Sequence, residues 1–173
     1  MEPTVDADPG AALLALYDTA VREVYGYLLH RCRDVATAED LTAETFSAAV
    51  TSIGRGVVDE VSTGWLIGIA RHKLVDHWRR LERATRNLQA VGDAPVEDDP
   101  WDAHLDALLA RDVLDRLGAH HRSALTLRYV DDLPVPEVAA IIDRTVHATE
   151  ALLVRARRAF RDVYEQFDPE VAP

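Results

Sequence analysis

The stretch PVPEVAAIIDRTVHATEALLVRARRAFR, residues 134–161, decides how the chain is read. It opens with a short helix, Pro134–Ile142, whose Pro134 and Pro136 suit the first turn, where a missing N–H costs nothing. A tight turn at Asp143, Arg144 and Thr145 follows, and a longer helix begins near Val146. Val138, Ala139, Ile142, Val146, Thr149, Leu153 and Ala156 are spaced to bury against one another, and small Ala139 lets the two helices cross closely. This is helix-turn-helix spacing, in which the second helix enters the DNA major groove by its N-terminal end. With the apolar stripe inward, His147, Glu150, Ala151, Val154 and Arg155 face the groove, and Arg158 and Arg161 lie nearer the phosphates. Two helices packed purely as core can share the same spacing.

Working upstream, VPEVAAIID is preceded by HLDALLARDVLDRL and AHHRSALTLRYV, separated at Gly118 and closed by DDLP. These read as helices. Residues 84–104 change character: VGDAPVEDDPWDA holds two prolines, a glycine and five acids, the composition of a flexible acidic linker. Before it come three helical stretches. In LLALYDTAVREVYGYLLHRC, Leu13, Leu16, Tyr17, Val21, Val24, Tyr25 and Leu28 recur three or four apart. TAEDLTAETFSAAVTSI has Thr37 as N-cap with Asp40 three residues on, close to a capping box. GRGVVDEVSTG, with three glycines, reads as a loop, and WLIGIARHKLVDHWRRLERA as the third helix. The expectation is an all-α fold of two small helical bundles joined by a flexible acidic linker, the second containing the helix-turn-helix. Its parts are a disordered N-terminus 1–11, a helical domain 12–83, the linker 84–104, a second domain 105–167 and a tail 168–173.

The net charge of −11 argues against nucleic-acid binding as a single number, but its distribution does not. Residues 12–83 carry nine bases and ten acids, and 105–167 carry the same, so the excess acid sits in the flanks and the join. Arg71, Lys73, Arg79, Arg80 and Arg83 close the first domain, and Arg155, Arg157, Arg158 and Arg161 the second. A local basic face can hold phosphate because salt limits distant charge to a reach of about 8–10 Å. The single Cys32 excludes a disulfide framework or a cysteine zinc cluster within one chain. The acidic MEPTVDADPGAALLALY is unlike a secretory signal, and no run is apolar for the roughly 18 residues of a membrane span, so no membrane insertion and a cytoplasmic location are expected. His120 and His121 are adjacent and His72 and His77 five apart, off the spacing of helical zinc pairs. No phosphate-binding glycine loop or serine nucleophile motif occurs, so neither enzyme activity, metal nor cofactor is expected.

Taken together, three segments resemble the extracytoplasmic-function sigma factors of the sigma-70 family, over residues 13–83 and 105–165. AEDLTAETFSAAV resembles the motif that grips the polymerase clamp, GWLIGIARHKLVDHWRR the helix that melts and reads the minus-ten element, and ALTLRYVDDLPVPEVAAIIDRTVHATEALLVRARRAF the part that reads the minus-thirty-five element. The resemblance implies a protein that carries core RNA polymerase to promoter DNA. It places Asp40, Leu41, Glu44 and Thr45 on the polymerase, with Arg71, His72, Lys73, His77, Arg79 and Arg80 at the minus-ten DNA. His147, Glu150, Ala151, Val154, Arg155 and Arg158 fall at the minus-thirty-five DNA. The loop Ile53–Gly64 corresponds to the family's specificity loop, which takes a flipped base. An anti-sigma factor is a partner expected of the family, and the free chain is expected to be a monomer.

The sequence departs from the family pattern at four positions. Ala43 stands where glutamine is usual, His72 where asparagine is common, and Glu150 and Leu152 where lysine or arginine is common. Glu150 can accept from a cytosine amino group but weakens the attraction for phosphate. Two rival readings stay open: a solitary helix-turn-helix regulator, and an interaction protein that binds polymerase or an anti-sigma factor without reading DNA.

Overall fold

Asp8 starts the first helix: its carboxylate accepts the Gly10 N–H at 3.1 Å, and Pro9 takes the first helical position, where its fixed φ is an asset. The computed structural model describes residues 8–58, 60–85 and 107–167, and all regular structure among them is helical. Helix α1 (Pro9–Cys32) thus begins inside the stretch expected to be disordered. It ends at Arg33, which takes the left-handed conformation (φ 58°) and returns its N–H to the Leu29 carbonyl.

Helix α2 (Val35–Gly54) starts earlier than the sequence suggested. The N-cap is Asp34 and not Thr37: Asp34 has the extended backbone a cap requires, and its carboxylate accepts the Thr37 N–H at 2.8 Å. Two of the three glycines assigned to the following loop are helical. Gly54 ends α2 and Gly64 lies in the first turn of α3 (Thr63–Thr85), which leaves Gly56 alone with positive φ, 66°. Ser62 accepts the Trp65 N–H where α3 begins.

The chain folds as two compact units, Met1–Leu74 and Val75–Pro173, with the boundary inside α3. The first unit buries Val24 and Leu28 of α1, Leu41 and Ala49 of α2, and Leu66, Ala70 and Leu74 of α3. Tyr17 and Phe46 add an edge-to-face ring pair, with centroids 5.2 Å apart.

In the second unit, Val75 shares a core with Val113, Leu117, Leu125, Leu127, Val138 and Phe160. Its helices are α4 (Ala107–Arg116), α5 (Ala119–Leu125), α6 (Val135–Ile141) and α7 (Val146–Tyr164). Between α5 and α6 the chain widens into a π-helical turn, Thr126–Val130. It buries Thr126 and Leu127 and leaves Tyr129 and Val130 exposed. The expected acidic linker, 84–104, lies almost wholly outside the described residues.

Candidate nucleic-acid and polymerase interface

The helix-turn-helix is formed by α6 and α7. Pro134 caps α6, Asp143 (φ 55°) makes the turn, and Thr145 caps α7 by accepting the Ala148 N–H at 3.2 Å. Val138, Ala139, Ile142, Thr149, Leu153 and Ala156 are buried as expected. Two positions on α7 differ. Val146 is 43% exposed, so it does not belong to the stripe. Leu152 is 4% exposed and packs in the core. Leucine at 152 is therefore a core residue and removes nothing from the outer face.

That outer face carries His147, Glu150 and Arg158, all exposed, with Ala151, Val154 and Arg155 half-buried beside them. His147 Nδ1 lies 4.0 Å from a Glu150 carboxylate oxygen one turn on. Arg157 is turned aside, its guanidinium donating to the Tyr129 hydroxyl at 3.1 Å.

On α2 the four expected polymerase contacts separate into two layers. Leu41 and Thr45 are interior, 1% and 0% exposed, and the Thr45 hydroxyl donates to the Leu41 carbonyl at 2.7 Å. They hold the helix from beneath and present no surface to a partner. Asp40 and Glu44 face outward on an open groove of about 790 Å³, which Ala43, Ser47, Thr51 and Lys73 also line. Lys73 Nζ stands 3.4 Å from the Glu44 carboxylate. A residue assigned to DNA by resemblance thus lies in the groove with the residues assigned to polymerase.

The remaining residues expected at the minus-ten DNA are also dispersed. His72 and Arg80 are exposed, and His77 is half-buried. Arg71 turns the other way from Lys73, its guanidinium 6.0 Å from the Tyr27 ring centroid on α1. Arg31 stacks on the same ring at 3.6 Å. Neither Tyr27 nor Arg31 was singled out by sequence, although HRCR at 30–33 is a basic run at the end of α1. Arg79 lies with the second unit, donating to the Ile142 carbonyl and pairing with Asp76 at 3.6 Å; its side chain keeps 26% of its surface. Trp78 is buried, with the Arg122 guanidinium 4.4 Å from its ring centroid, so it packs and does not stack on a base. In the loop that the resemblance assigned to base specificity, Asp59 lies outside the described residues.

Among the described residues no cluster of three histidine, cysteine, aspartate or glutamate side chains could hold a metal, and no helix is long and apolar enough to cross a membrane.

The described residues thus form two all-helical units, the second built on a helix-turn-helix with arginines along its outer helix. Residues 16–84 match the Sigma-70 region 2 family and residues 107–160 match Sigma-70, region 4. The chain is 36% identical over 151 residues to the ECF RNA polymerase sigma factor BldN of Streptomyces coelicolor, an alignment covering 83% of this chain and 56% of that protein. It is 26% identical to the ECF RNA polymerase sigma factor SigM of Bacillus subtilis, covering 87% of this chain and 94% of the other. The sigma factor RpoE of Bartonella quintana, solved with the anti-sigma factor NepR, superposes with a TM-score of 0.55 at 20% identity over 90% of this chain and 96% of that one, a likeness of fold. The chain belongs to the sigma-70 family, in its extracytoplasmic-function branch.

Proposed function

We propose that this chain is a promoter-specificity subunit: it binds core RNA polymerase, directs it to promoters by reading DNA, and opens them, with no catalytic chemistry of its own. The observation that carries the reading is the coexistence in one chain of the α2 groove, with outward Asp40 and Glu44, and the α6–α7 helix-turn-helix. A solitary regulator has a use for the second of these and none for the first. Polymerase contact falls to Asp40 and Glu44, whose carboxylates suit a basic partner surface. Minus-thirty-five contact falls to His147, Glu150, Ala151, Val154, Arg155 and Arg158. Here phosphate attraction rests on the arginines, and Glu150 selects against bases that offer no donor. Arg71, His72, His77 and Arg80 serve the minus-ten strand. Arg79 joins them when its bond to Ile142 opens. The protein works in the cytoplasm, where polymerase and promoters are, and an anti-sigma factor is the partner that would hold it inactive.

Footprinting with reconstituted holoenzyme tests this reading. Protection of two short elements, present only when both core polymerase and this protein are added, is expected. Co-migration with polymerase on size exclusion without any sequence-specific protection would instead establish a decoy. Binding of DNA as a dimer without polymerase would establish a solitary regulator.

A further inference from the structure

Helix α7 turns about 100° per residue, so the side chains it buries fix the direction of all the others. Thr149, Leu152, Leu153, Ala156, Phe160 and Tyr164 are buried and define its inward side. Directly opposite, residues 147, 151, 154 and 158 fall within an arc of about 60°. That arc is the middle of the outward face, the part that meets base edges when a helix-turn-helix docks in the major groove. His147 and Arg158 stand at its two ends, with Ala151 and Val154 between them.

Two apolar residues in the middle of a DNA-facing surface add nothing to phosphate attraction. Half-burial marks the rim of the core at Ala159 and Val163 of the same helix, which pack against the core cluster. Ala151 and Val154 are half-buried too, but they are not among the residues packed against that cluster. Core packing therefore does not account for them. Three residues apart on the helix, they are neighbours on its surface, and their methyl groups make one small apolar patch. Neither side chain donates or accepts a hydrogen bond, so the donor and acceptor pattern of the base edges gives them nothing to recognise. In the major groove thymine alone presents an apolar group, its C5 methyl, and small aliphatic side chains recognise it by contact.

We infer that Ala151 and Val154 are a thymine reader: the minus-thirty-five element carries a thymine whose methyl group rests on this patch. This rests on the function proposed above and names a base that the element must contain.

The experiment titrates holoenzyme, reconstituted with the full chain, onto duplex promoter. Each thymine of the upstream protected element, on either strand, is replaced in turn by deoxyuridine, which pairs identically and lacks only the methyl group. Burying one such group is worth about fourfold in affinity, so one replacement weakens wild-type binding about fourfold. In Val154→Ala the penalty at that position falls to about twofold or less. Arg155→Ala weakens binding to the thymine and deoxyuridine duplexes alike and keeps the ratio between them. Because the ratio is taken within one variant, a loss of folded protein cancels, and a purely structural role for Val154 does not move it. If no replacement weakens wild-type binding, or the penalty persists in full in Val154→Ala, the thymine reader is wrong, and a two-element footprint leaves the function standing. If the footprint is absent and Arg155→Ala binds as wild type does, the proposed function fails as well.

Discussion

Replacing Leu152 with lysine introduces the charge that the family resemblance led one to expect there, and the structure predicts that it damages the protein. Leu152 is 4% exposed, in one core with Val138, Leu153, Ala156 and Phe160. Removing a buried leucine side chain costs about 2–5 kcal/mol, and a lysine stem recovers part of the packing only by pulling its ammonium toward water. A net loss of roughly 3 kcal/mol is expected for Leu152→Lys, which lowers the melting temperature of a unit this size by about 12–24 °C. Glu150→Lys is the matched control, two residues away and on the outer face, with 60% of its side chain exposed. It should leave stability within about 0.5 kcal/mol. It should also tighten promoter binding and steepen the salt slope by about 0.9, one duplex phosphate. Thermal melts followed by circular dichroism and salt titrations of holoenzyme on duplex promoter measure both effects. A Leu152→Lys protein that melts normally and binds DNA more tightly would refute the register assigned to α7.

Other substitutions examine local features. Asp34→Ala removes the α2 N-cap bond at 2.8 Å and should cost about 1 kcal/mol in urea unfolding, while Thr37→Ala should cost less. Asp143→Gly relieves a left-handed backbone in the helix-turn-helix turn; it should stabilise the second unit by about 0.5–1 kcal/mol, and destabilisation would count against the φ of 55°. Arg155→Ala should weaken promoter binding and flatten its duplex salt slope by about 0.9 without changing affinity for core polymerase. Glu44→Lys reverses the charge beside Lys73 and should weaken polymerase binding by tenfold or more (about 1.4 kcal/mol) while sparing the fold, as gel-filtration titration and circular dichroism would report.

Much of the fold was legible because local chemistry and periodicity agreed. Pro134, Pro136 and the Asp143–Thr145 turn marked α6 and the start of α7 within a residue. Where several residues could do the same job, the sequence did not choose among them. Asp34 and Thr37 are both capping types within one turn, and only the extended backbone at Asp34 decides. On α7 the run Ala148, Ala151, Leu152, Leu153 and Val154 is apolar around much of the helix, so the pattern alone did not show that Leu152 is buried and Val146 exposed. The π-helical turn at 126–130 has no local signature, since one extra residue in a turn is set by what the core accepts.

The candidate site was less legible because its residues meet across helices. Periodicity puts Lys73 on a basic helix but does not reveal Glu44 opposite it, and nothing in α1 shows that Tyr27 receives an arginine from α3. Leu41 and Thr45 came from motif resemblance, in which residues that support a surface are conflated with residues that form it.

Run-off transcription on genomic fragments, with core RNA polymerase and this protein as the only added factors, tests the central claim most directly. Discrete transcripts are predicted that vanish without the protein and whose starts share two upstream elements at fixed separation. Polymerase that binds the protein and yet starts at no defined position, with either unit intact, would contradict it.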